Sequence, residues 1–170
     1  MSDYGIQESK GYFWRLEGVV NSVLFRCKVP FLTDRDGEEV FARRCAEYFE
    51  SLTLENEAFR RVLNYAAEYL TDFFDEHSGE FDIDESKYED ITAESIVKLC
   101  EPVQLIFEKH DLLSDEDSPL AFSMKLRLKD LPDEIFEIAM REDMPVYAGE
   151  YRGVSPWDER LLKKKWNYIG

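Results

Sequence analysis

The order of secondary-structure signals along the chain predicts an α+β fold, a mostly antiparallel sheet built from N- and C-terminal strands with a central helix pair packed on one face. Three observations carry this. Leu120, Phe122, Met124, Leu126 and Leu128 alternate with Ala121, Ser123, Lys125 and Arg127, the period of a strand with one wet face. Phe59, Val62, Leu63, Ala66, Leu70, Phe73 and Phe74 recur at helical spacing, with Glu57, Arg60, Arg61, Glu68 and Asp72 opposite. Strand-like segments also gather at the two ends of the chain and helical ones in the middle, the segregated order of this class. No repeat, low-complexity tract or Gly/Ser linker divides residues 1–170, so a single domain is expected.

Each element follows from local chemistry. Residues 12–29 are rich in aromatic and β-branched side chains, interrupted at Gly18 and Asn21-Ser22, and read as one or two strands, with a hairpin as one arrangement. Pro30 is expected to end that ladder, and residues 33–37 form a turn. From Glu38 the period becomes helical, with Val40, Phe41, Cys45, Tyr48, Phe49 and Leu52 on one face. Thr53 or Asn56 caps the next helix and Gly79 ends it, so residues 38–51 and 55–76 are expected as an antiparallel pair. Residues 80–90 form an acidic connector. Thr92, with Ser95 nearby, starts a short helix that reaches Cys100 and that Pro102 cannot continue.

A strand is expected over 103–108, a charged loop over 111–118, and the alternating strand over 120–128. Ile135, Phe136, Ile138 and Met140 suit strand or helix, and the short run between Pro132 and Pro145 favours a strand. Residues 146–152 read as a further strand with Gly149 as a bulge. Ser155 as N-cap, Pro156 and the acids Asp158 and Glu159 then predict a short basic helix through Trp166.

Composition excludes several functions. The chain has 170 residues, 37 acidic against 21 basic, for a net charge of −16. With 12 Phe, 9 Tyr and 3 Trp it is too rich in core-forming side chains to be a disordered acidic tail. Phosphate contacts need a basic face, so binding to nucleic acid or to anionic lipid is disfavoured. No segment approaches the ~20 apolar residues of a membrane span, and no basic region followed by an apolar run opens the chain. Cys27, Cys45 and Cys100 are isolated and odd in number, which points to reduced, buried thiols and a cytoplasmic protein.

Catalytic and metal signatures are weak. Only His77 and His110 could serve a nucleophile as base, and neither is accompanied by a GxSxG turn. No Gly-rich phosphate loop occurs. Calcium-loop frames starting at Asp34 or Asp82 fail, because position six is Glu39 or Lys87 and position twelve is Cys45 or Ala93. The reading is therefore non-enzymatic, with no cofactor and no metal.

Charge distribution is more informative. Asp72, Asp75, Glu76, Glu80, Asp82, Asp84, Glu85, Glu89 and Asp90 crowd one stretch with a single Lys, and Asp111, Asp115, Glu116 and Asp117 form a second cluster. Asp133, Glu134, Glu137, Glu142 and Asp143 form a third. Arg160, Lys163, Lys164 and Lys165 contribute four positive charges, which leaves −20 for the remainder. The first two clusters are candidate docking residues for a basic protein partner, since such a field steers association. Phe81 and Tyr88 are either aromatic anchors of that interface or hydrophobic tethers of the connector.

In its acidity, its α+β layout and its lack of catalytic motifs the chain resembles the bacterial immunity proteins of contact-dependent inhibition and other polymorphic toxin systems. The resemblance implies neutralisation of a basic, nuclease-like toxin domain by covering its active or nucleic-acid-binding surface. It rests on no motif, so it assigns no residue. The alternative is an accessory adaptor domain whose acidity serves solubility.

Overall fold

Seven strands and three helices form an α+β fold in the computed structural model, which describes residues 3–169. The strands are β1 (Gln7–Glu8), β2 (Leu16–Ser22), β3 (Cys27–Thr33), β4 (Cys100–Phe107), β5 (Ala121–Leu128), β6 (Ile135–Arg141) and β7 (Met144–Glu150). They pair in sequence order within one sheet. Every neighbouring pair is antiparallel except β3 and β4, which run parallel with Phe31 opposite Leu105 and Thr33 opposite Phe107. The connection across that parallel joint contains all three helices: α1 (Glu39–Ser51), α2 (Glu57–Glu76) and α3 (Ala93–Leu99).

The helices form because their local signals agree. The Asn56 side chain accepts the Phe59 N–H at 2.8 Å, and the first turn of α2 is thereby capped. Thr92 and Ser95 make a reciprocal capping box at α3. α2 buries Phe59, Val62, Leu63, Ala66, Leu70 and Phe74, while Phe73 stays half-exposed. α1 buries Phe41, Cys45 and Phe49, and Val40 turns out to solvent. α1 lies over β2 and α2 over β6 and β7, each taking its nearest backbone neighbours from the sheet rather than from the other helix. Their stripes meet Val20, Phe31, Leu105, Met124, Leu126 and Ile138 in one continuous core. Each large side chain so buried contributes roughly 1.5–3 kcal/mol of transfer free energy.

Local readings are corrected at several places. Pro30 does not end a strand: it lies within β3 opposite Val19. The Val19 N–H is directed away from β3, to the carbonyl of Tyr4 at 2.8 Å. Val19 and Pro30 are thus a non-hydrogen-bonded pair, and the missing N–H of Pro30 leaves no gap in the β2–β3 ladder. The hairpin turn falls at residues 23–26, and Asn21 and Ser22 belong to β2. Gly18 is required for packing, because a Cβ there would lie 2.4 Å from the Phe31 ring. The bulge expected at Gly149 sits instead beside Ala139 and Met140, where β6 and β7 shift register.

The basic C-terminal helix is also replaced. Ser155 does not cap a helix; its hydroxyl accepts the Trp157 N–H in a turn. Asp158 then caps a single 3₁₀ turn, Glu159–Lys163. Residues 151–169 run as a strap across the second face of the sheet, where Leu161, Val154 and Trp166 cover Ala139, Val146 and Tyr147. Two carboxylates bind the strap. Glu137 accepts the N–H groups of Arg152 (2.8 Å) and Val154 (3.1 Å), and Glu108 accepts the Ser155 hydroxyl at 2.5 Å. Within the strap Trp157 donates to the Glu108 carbonyl, and Trp166 rests edge-on against Tyr147.

Candidate functional site

The two acidic segments do not share a face. Residues 111–117 belong to the loop before β5, and the turn at 129–134 follows β5. Eight residues of strand separate those ends, about 25 Å. The first segment, 72–90, lies at the far end beside that turn: Tyr88 donates to Asp130 at 3.0 Å, and Lys87 lies 3.5 Å from the same carboxylate. The second packs on the start of α1, where the Asp115 carboxylate accepts the N–H groups of Glu38 (3.3 Å) and Phe41 (3.1 Å). Arg44 clasps the carbonyls of Asp115 and Ser118. Asp115 is therefore a cap supplied to α1 from a distant loop, not a free docking charge.

Several other candidates have structural partners. Tyr88 is only 2% exposed, stacked on Phe74 at 4.1 Å, so it cannot offer its ring to a partner. That corrects its reading as an anchor. Phe81 is half-buried and stacks on Phe73 at 5.8 Å, fastening the connector to α2. Asp84 caps the 3₁₀ turn Glu85–Tyr88, and the hydrogen bonds it accepts from the Ser86 hydroxyl and then from the Ser86 N–H hold its carboxyl below the ordinary range. Glu85 receives the Gly79 N–H, Glu80 pairs with His77 at 2.8 Å, and Asp72 accepts the Tyr168 hydroxyl at 2.8 Å. Asp111 lies 3.6 Å from His110. Asp75, Glu76, Asp82, Glu116 and Asp117 have no side-chain hydrogen bond or ion pair among the described residues.

Carboxylates and partly exposed aromatic rings come together at the C-terminal end of α2. There Glu76 meets Asp133 and Glu134 of the β5–β6 turn and Glu150 at the end of β7 around a groove of about 390 Å³, floored by Tyr69, Phe73, Tyr151 and Tyr168. Tyr69 and Tyr168 meet edge-on at 5.5 Å. Burial, then the charges of Glu150, Glu134 and Glu76, push the Tyr69 phenol up to about 12. The last turn of α2 carries no basic residue, so the negative end of its dipole is uncompensated and adds to the same field. A comparable recess beside Asp75, Glu85, Glu89 and Asp90 lacks the aromatic faces, because its Phe74 and Tyr88 are buried.

The sequence reading missed most of this groove. In the sequence Glu76 falls within the first acidic cluster and Asp133 and Glu134 within the third, while Tyr168 stands on the strap and Glu150 ends a strand. Only the tertiary pairing of β6, β7 and the strap brings them to α2. The third cluster is dispersed: Glu137 is buried beneath the strap, and Glu142 and Asp143 lie at the opposite end of β6.

A second cleft lies between the start of α1 and the strap, lined by Asp34, Asp36, Glu108, His110, Arg141, Ser155 and Trp157. Burial raises both Asp34, to about 6, and Glu108. The Ser155 hydroxyl donates to Glu108, while His110 lies edge-on to Trp157 at 4.9 Å and accepts the Leu112 N–H on Nδ1. No Ser–His pair forms here. Cys45 and Cys100 are buried, with thiols held up by desolvation, Cys100 to about 12; Cys27 is half-exposed. Among the described residues no three His, Cys, Asp or Glu side chains converge to hold a metal ion, and no helix is long and apolar enough to cross a membrane. Comparison with protein-family models, curated proteins and solved structures found no match.

Proposed function

We propose that this chain is a non-enzymatic, cytoplasmic binding protein whose acidic end docks a basic protein, in the manner of an immunity protein that neutralises a nuclease-like toxin. One observation carries the reading: Glu76, Asp133, Glu134 and Glu150 converge at the C-terminal end of α2, whose last turn also bears Asp75 and which leads into the connector that bears Asp82. Carboxylates gathered in this way steer a basic surface and pair with the Lys and Arg side chains that a nuclease uses to hold phosphates. Nothing in the reading calls for a cofactor. Co-expression with the product of the gene immediately upstream tests it. The expected result is a complex that survives purification, weakens as salt rises, and protects cells from that product. A product that neither binds nor harms growth overturns the reading.

A second reading, an accessory adaptor domain, is favoured by a different observation. Asp72, Glu80, Asp84, Glu85 and Asp115 all hold parts of the fold together. Partner binding indifferent to ionic strength would select it, because docking between charged surfaces is screened.

A further inference from the structure

We propose that the groove between the end of α2 and the β5–β6 turn receives an arginine side chain of the basic partner. This rests on the docking function above and specifies which part of the acidic end does the recognition. Three features point to a guanidinium. The floor is aromatic, with Tyr69, Phe73 and Tyr168 partly exposed, and a cation above such rings gains from their quadrupoles. The rim carries Glu76, Asp133 and Glu134, which have no ion-pair partner among the described residues, spaced around one opening. The backbone carbonyls ending α2 add negative potential, with no Lys or Arg in the last turn to offset it; the capping residue His77, which also lines the groove, pairs with Glu80.

The protein's own cations already use the neighbouring positions in this manner. Arg152 lies over the Trp166 ring at 4.1 Å while pairing with Glu150 at 2.9 Å, and Lys125 sits over Tyr151 at 4.5 Å. Arg152 shows the geometry that a flat guanidinium achieves, one face on a ring and its edge on a carboxylate. Glu150 and Tyr151 of the groove are thus already engaged, and its remaining surface, Glu76, Asp133 and Glu134 around Tyr69, Phe73 and Tyr168, repeats those two ingredients with no internal Lys or Arg paired to it. A planar, five-donor fork fits both at once; a lysine ammonium reaches the carboxylates only as a point charge.

Titration of hexa-arginine into the full chain at low salt, followed by NMR, tests this, with hexa-citrulline as the neutral isostere and hexa-lysine as the non-planar cation. The variant E76Q/E134Q neutralises two rim acids that support no other contact, and E116Q/D117N makes the same change in net charge at the opposite end. Expected are shifts at Tyr69, Phe73 and Tyr168, binding about tenfold weaker in E76Q/E134Q (about 1.4 kcal/mol), little change in E116Q/D117N, and weaker binding of both other peptides. Equal loss in the two variants, or equal binding of hexa-citrulline or hexa-lysine, overturns the arginine site. If only E116Q/D117N weakens binding, the site falls while acidic docking stands at the other end. No binding of hexa-arginine by any form overturns both.

Discussion

Asp34 sits where the strand β3 hands over to the turn before α1, and its carboxylate accepts the N–H groups of Gly37 (3.2 Å) and Lys109 (3.3 Å). Burial outweighs those bonds, and Asp36 beside it raises its affinity for a proton further, against the opposing charge of Lys109. Glu108 is raised in part by Asp34 in return. The folded-state value of about 6 lies above the ordinary 3.8. Asp34 therefore favours the folded state fully below about pH 4, and that contribution is lost as pH rises through about 6. D34N keeps an acceptor oxygen and removes the titration. Urea midpoints of wild type and D34N should diverge between about pH 4 and pH 7, the variant gaining on the wild type as pH rises. Parallel curves would place Asp34 at its ordinary value. Asp115 makes a second residue-scale case. D115A removes the acceptor of two N–H groups at the start of α1 and should cost about 1–2 kcal/mol in urea unfolding, with an unchanged slope. Neither role is visible in sequence, since Asp115 lies seventy-odd positions from its partners.

Elements were legible where their signals are local. Asn56, Thr92 with Ser95, and the alternation through β5 each involve neighbours within a few positions, and each element stands where its pattern put it. The strap was not legible, because its partners are far off in the chain and its hydrogen bonds run to side chains. Asn167 is the clearest instance. It is 7% exposed, takes the Ala148 N–H on its carbonyl oxygen, and donates to the carbonyls of Val146 (2.8 Å) and Leu161 (3.0 Å). With the Tyr168 N–H on the Ala148 carbonyl, it satisfies the outer edge of β7. N167L should leave buried donors and acceptors unpaired, at about 3 kcal/mol. It should also open that edge to strand pairing, seen as a lower Tm together with concentration-dependent association in sedimentation. A monomer of unchanged Tm would show that the strap does not guard the edge.

Across the whole molecule acids outnumber bases, but the strap reverses that balance. Acids dominate the helix termini and the ends of the sheet, while Arg152, Arg160 and Lys163 to Lys165 ride on the strap. A net charge of −16 on one compact body is self-repelling. Monovalent salt should therefore raise Tm, and E76Q/E134Q should reduce that salt response by relieving one crowded acidic site. A Tm that falls with salt would mean that the internal ion pairs outweigh the repulsion. The acidic segments are visible in the sequence, but their division between two ends of the sheet depends on which strand β4 joins, and no local pattern encodes that choice.

The parallel joint of β3 with β4 also governs the order of events in synthesis and refolding. β3 is complete long before its second neighbour exists, and every helix must be made before β4 can close the gap. Until then the hairpin β2–β3 presents an unsatisfied edge, and closing so long a loop is slow. Lys28 and Pro30 stand on that strand, one charged and one unable to donate, both poor templates for a foreign strand. The proline that breaks the expected pattern of β3 thus has a use in the nascent chain. P30V, harmless to the finished ladder, should lower the yield of refolding at high protein concentration while leaving the yield in dilute solution intact.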